Sequence, residues 1–220
     1  MSAPAFTPSG ARAAVLRRRV RLLVAATITY NVVEAAVAIT AGTLASSTAL
    51  IGFGLDSVIE VSSAAAVAWQ FAGSEPEARE RVALRVIACA FFALAAYITV
   101  ESIRALAGGA PADPSPVGIV LAAVSLAVMP FLSYAQRRAG RELGSTSAVA
   151  DSKQTLLCTY LSGVLLLGLV LNAALGWSWA DPAAGLVIAA LAVKEGRAAW
   201  RGQSCCALPV AAVPDDHCGR

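Results

Sequence analysis

Two acids stand four residues apart in the middle of an apolar run: Asp56 and Glu60, within Ala49-Leu50-Ile51-Gly52-Phe53-Gly54-Leu55-Asp56-Ser57-Val58-Ile59-Glu60. On a helix that spacing puts both carboxylates on one face, a turn apart, where they repel unless something cationic lies between them. Two other apolar runs carry polar pairs at helical spacing. Asn31 and Glu34 are three apart, and Gln154 and Cys158 are four apart. The combined donors are carboxylate oxygen, amide oxygen and thiolate sulfur, a set that suits a divalent transition metal better than a hard ion alone. Asp56 with Glu60 on one helix and Gln154 with Cys158 on another make a four-ligand metal site, with Asn31 and Glu34 as an accessory ligand pair or a proton relay. The same groups admit a plainer reading, as interhelical hydrogen bonds or as acids held neutral. That reading serves Asn31, Gln154 and Cys158 better than it serves two stacked acids, which packing alone does not explain.

The elements that carry these residues are long and greasy. Of the 220 residues 58% are hydrophobic and only 14% charged, against roughly 25% charged in an average soluble domain, which argues against a water-soluble enzyme. Six largely apolar stretches, at about 22–41, 44–71, 82–106, 116–135, 148–172 and 182–200, are each long enough to cross roughly 30 Å of hydrocarbon as a helix. The expected fold is therefore all-α, a six-helix polytopic transmembrane bundle. It divides into a basic N-terminal arm (1–20), the six-span membrane domain (21–200) and a short tail (201–220). A carboxylate near a bilayer centre costs roughly 2.5–3.5 kcal/mol even on lenient insertion scales, so each acid inside a span needs a partner or a purpose.

Punctuation between the runs is readable. Ser74 with Glu77 has capping-box spacing, Asp181-Pro182 suits an N-cap and first turn, and Asp113-Pro114-Ser115-Pro116 breaks the chain ahead of the fourth run. Pro130 is expected to kink the fourth helix. Trp177 and Trp179 at one face, with Trp69, Tyr134 and Trp200 at the other, read as interfacial anchors. The Arg-rich start before an apolar run imitates a signal peptide, but Asn31 and Glu34 interrupt that run and five more spans follow, so the first span is read as retained.

Orientation follows from the basic residues. If the spans alternate, all but Arg104 of the 17 Lys and Arg residues fall on one side, which places both termini in the cytoplasm and requires an even number of crossings. The formal net charge of +3 is too mild to suggest nucleic acid as a partner; the bilayer is the partner implied. Asp151 and Lys153 fall at the cytoplasmic mouth, where a gate and an exposed ion pair explain them equally well. The tail holds Cys205, Cys206, Asp215, Asp216, His217 and Cys218, donors that would stay reduced in the cytoplasm. Metal capture by Cys205, Cys206, His217 and Cys218 competes there with an unstructured end or palmitoylation at Cys205 or Cys206. No nucleophile with its base, no Gly-rich phosphate loop and no intramembrane His is found, so no enzyme and no permanently bound cofactor are expected.

Tyr30-Asn31-Val32-Val33-Glu34 and the run from Ala49 to Glu60 resemble the first two helices of the cation diffusion facilitators, with Asp56-Ser57-Val58-Ile59-Glu60 at their acidic pair. Ala150-Asp151-Ser152-Lys153-Gln154-Thr155-Leu156-Leu157-Cys158 resembles the family's fifth helix, Trp179-Ala180-Asp181-Pro182-Ala183-Ala184-Gly185 the opening of its sixth, and Glu101-Ser102-Ile103-Arg104, more weakly, its third. The resemblance implies a membrane exporter of zinc or similar divalent ions, driven by proton antiport, with the metal as substrate, protons as coupling ion and a homodimeric assembly. Members usually have His and Asp where Gln154 and Cys158 stand, which leaves zinc selectivity open. They also carry a cytoplasmic domain after the sixth helix; about 20 residues follow it here, so association would rest on the helices. A non-transporting metal-responsive sensor or partner subunit of the same fold is the alternative.

Overall fold

The computed structural model describes residues 10–71, 76–109, 111–143 and 146–201. It consists of six α-helices: α1 (Gly10–Leu44), α2 (Thr48–Phe71), α3 (Pro76–Leu106), α4 (Pro116–Leu143), α5 (Thr146–Leu175) and α6 (Ala180–Trp200). At about 1.5 Å per residue even the 21 residues of α6 reach roughly 30 Å. By length and composition, α1, α3, α4 and α5 contain spans apolar enough to cross a membrane. The other two, α2 and α6, carry the buried carboxylates Asp56 and Asp181. The protein is thus an all-α six-helix membrane bundle.

The helices close into a ring in the order α1, α2, α3, α6, α5, α4 and back to α1, with α2 also touching α5 and α6 across the middle. Leu50 and Phe53 of α2 pack with Leu165 and Leu169 of α5 and Ile188 of α6 in one buried cluster, and Ala88, Phe91 and Ile98 of α3 with Ala189 and Ala192 of α6 in another. Small residues let the central helix come close. A Cβ placed on Gly54 would stand 2.8 Å from Ile39 of α1, so this crossing excludes any larger residue without movement.

One end of the bundle is tied together by backbone and cap chemistry. α1 stops in a Schellman arrangement, with Ser46 at φ 51° and the Ser47 N–H donating to Gly42 O at 2.9 Å; a serine tolerates this left-handed geometry only at a cost near 1 kcal/mol. Ser47 then begins the next helix, its hydroxyl oxygen accepting from the Leu50 N–H at 3.1 Å as an N-cap does. At the same end the Asp113 N–H donates to Ala45 O at 2.9 Å and the Asn172 side chain donates to Ala112 O at 2.8 Å.

Asp181 departs from expectation. It does not cap its own helix: α6 begins after Trp179, with no side-chain cap. Its buried carboxylate instead accepts from the Ser47 hydroxyl and from the Thr48 and Ala49 N–H groups at 2.9 and 3.4 Å, so α6 caps α2. The first-turn amides of α2 are orphan donors in a dry setting, and a carboxylate there satisfies them and the helix dipole together. α4 begins after the Pro-containing break, and Ser115 acts there as a local N-cap, accepting from Gly118 N–H at 3.1 Å. α4 continues past Pro130 as one helix. Trp177 and Trp179 are exposed and stacked, their ring centroids 5.4 Å apart, and Tyr134 and Trp200 are exposed as anchors should be. The capping box at Ser74 and the side chain of Trp69 lie outside the described residues.

Removing the shared cap by Asp181→Ala should destabilise the bundle by about 1–3 kcal/mol, through unpaired buried N–H groups. Thermal unfolding in detergent should show a lowered midpoint, and an unchanged midpoint would mean that the contact is energetically idle.

Candidate metal site

α2 brings Asp56 and Glu60 to one face, as their spacing requires, and α5 brings Cys158 against them. One ligand atom of each lies within 4.8 Å of the others, with Asp56 8% and Cys158 2% exposed. The Cys158 thiol donates to Glu60 Oε1 at 2.8 Å, and Asn31 Nδ2 of α1 donates to Glu60 Oε2 at 2.6 Å. Glu60 is therefore gripped on both oxygens, from two different helices. Tetrahedral ligands around zinc stand roughly 3.5 Å from one another, so this cluster is within about 1 Å of the geometry an ion would impose.

Asn31 and Glu34, which the spacing pairs, do different things. Asn31 reaches the cluster. Glu34, 1% exposed, instead accepts from the Ser57 hydroxyl at 2.8 Å and from the Ser125 hydroxyl of α4, and Ser125 is also 2.7 Å from the Tyr30 hydroxyl. This hydroxyl cage holds a carboxylate near Asp56, Glu60 and Cys158 without joining their cluster. Glu34 and the half-buried Glu195 of α6 both stand within electrostatic reach of Asp56.

The site is short of positive charge. Among the described residues no Lys or Arg pairs with Glu34, Asp56 or Glu60. The ion pairs Arg104–Glu101 at 2.8 Å and Arg138–Glu142 at 3.3 Å are exposed and lie elsewhere, where such pairs stabilise little. Carboxylates gathered in a low-dielectric interior are costly as anions unless a cation or a proton neutralises them.

Of the remaining expected residues, Gln154 lies on α5 one turn before Cys158, and Asp151 and Lys153 lie beside it near the start of that helix; their side chains fall outside the described residues. Cys205, Cys206, His217 and Cys218 lie outside them altogether. The structure adds a polar link that the sequence reading missed: Gln136 of α4, buried, donates to Thr27 of α1 at 3.1 Å and accepts from Thr155 of α5 at 3.0 Å. Gln136 stands beside Arg137 and Arg138 at the end of the fourth apolar run, so it read as part of a solvated helix end. Glu195 was missed because its neighbours Lys194 and Arg197 read as a solvated helix end.

Among curated proteins none matches the sequence. The chain does match the cation efflux transmembrane domain over residues 24–201, most of its length and all of the site's helices. Members of that family move metal ions across membranes rather than catalyse reactions. The chain belongs to the cation efflux family and is an integral membrane cation transporter.

Proposed function

We propose that this protein exports a divalent transition metal such as zinc from the cytoplasm in exchange for protons, binding it between α2 and α5. Asp56, Glu60 and Cys158 are the ligands, and an amide oxygen, from Gln154 or Asn31, completes the set. The observation that carries this reading is the convergence of two carboxylates and a thiol within 4.8 Å, with no Lys or Arg paired to them among the described residues. Metal and proton compete for the same atoms. The thiol proton of Cys158 lies on the hydrogen bond to Glu60, in the space between two atoms that an ion would join, so metal binding must expel it. That exclusion is the coupling an antiporter needs, and alternating access would come from rocking one helix group against another. Glu34 in its hydroxyl cage serves as the relay through which protons reach the cluster.

Both termini face the cytoplasm of the plasma membrane in this reading, which the one-sided distribution of Lys and Arg supports. The protein works as a homodimer associated through its helices. Asp151 and Lys153 form the cytoplasmic gate, and Cys205, Cys206, His217 and Cys218 of the tail capture metal for delivery.

Asp56→Asn should abolish metal flux in proteoliposomes and weaken metal binding at least about tenfold, while unaltered flux would remove this site from the transport path. An imposed pH gradient should drive metal uptake by the unsubstituted protein, with collapse of the gradient by a protonophore stopping it; metal binding with no flux would identify a sensor instead. For orientation, Ser178→Cys in intact cells should react with a membrane-impermeant maleimide, and protection until the cells are opened would invert the topology.

A further inference from the structure

We infer that the fourth metal ligand is Asn31 Oδ1, so that the ion is held by three helices and α1 belongs to the binding site. The inference rests on the metal-site reading above and sharpens it.

Asn31 is 3% exposed, and its Oδ1 has no hydrogen-bond partner. A buried amide oxygen with two free lone pairs is costly, so it calls for an explanation in chemistry. With Glu60 ionised, its carboxylate only accepts, so the NH₂ that donates to it leaves the amide oxygen over. The amide is rigid and its oxygen and nitrogen are about 2.2 Å apart. With Nδ2 2.6 Å from Glu60 Oε2, Oδ1 lies within about 5 Å of that carboxylate, at the edge of the cluster. An acceptor with no partner among the described residues thus sits beside Glu60, one of the three candidate ligands.

The arrangement is also self-reinforcing. An ion on Oδ1 draws electron density from the amide and makes its N–H a stronger donor to Glu60, which in turn fixes Oε1 toward Cys158 and the ion. Two carboxylates, one thiolate and one amide oxygen make an O₃S set. Its single sulfur favours zinc, cadmium and cobalt over magnesium, calcium and manganese, which prefer all-oxygen shells.

The test is cobalt titration of the purified full chain in detergent. Thiolate-to-cobalt charge transfer in the near ultraviolet reports Cys158, and the intensity of the visible bands reports four-coordination. Asn31→Ala should keep the charge-transfer band, lose visible intensity as more than one water enters and raises the coordination number, and bind cobalt about 10- to 100-fold more weakly. Asn31→Asp, which restores an oxygen, should recover both intensity and affinity, and Gln154→Ala should change neither. Unchanged spectra and affinity in Asn31→Ala, or the visible change appearing in Gln154→Ala instead, would overturn the assignment. So would failure of Asn31→Asp to recover binding, since Asn31 would then only position Glu60. A different result separates the underlying reading: no charge-transfer band in the unsubstituted protein would remove the metal site itself.

Discussion

Carboxylates buried with no cationic partner among the described residues are the constraint around which this bundle is organised. Glu34, Asp56 and Glu60 are drawn into a helical interior where a lone carboxylate is costly, and each is handled differently. Glu34 is satisfied by hydroxyls, Glu60 by a thiol and an amide, and Asp56 stands beside them as the least compensated member. The gradation separates a carboxylate that is housed from carboxylates that are held ready for a guest. It also explains the position of α2, which touches four of the five other helices because its acids need partners from several of them.

Along the bundle axis the polar groups form three levels. At the end where α1 meets α2 and α5 meets α6, Asp181, Ser47, Asp113 and Asn172 bind the connections to one another. The metal cluster and the caged Glu34 occupy the middle. Toward the end bearing the start of α1, Gln136 bridges Thr27 and Thr155 across three helices. Apolar layers built on Leu50, Phe53, Leu165 and Ile188 fill the space between. The first level is backbone and cap chemistry and resists motion, whereas the third consists of neutral side-chain contacts that exchange partners at small cost.

Much of this was legible in the residues. Six helices follow from six apolar runs separated by Pro, Gly and Ser, and the acidic pair follows from spacing alone, since two acids four apart on one helix have nowhere else to point. Cys158 was legible for the same reason. What was not legible depends on how each helix is rotated about its axis. Asn31 and Glu34 share a helical face, yet a small angular difference sends one to Glu60 and the other to Ser57 and Ser125. Asp181 before Pro182 carries a strong local capping signal, and the tertiary demand of the unsatisfied amides of α2 overrode it. Ser125 appears in the sequence as a single polar residue in apolar surroundings and Gln136 as the neighbour of two arginines, and only the packing of α4 against α1 and α5 shows what they serve.

The cap shared between α2 and α6 has a consequence for biosynthesis. Thr48 and Asp181 are 133 residues apart, so the second helix emerges from the ribosome long before the group that completes its first turn exists. Until the last helix arrives, those amides must borrow water or lipid headgroups, and the carboxylates further along α2 wait in a half-built interior. The arrival of α6 therefore completes the start of α2 late in synthesis.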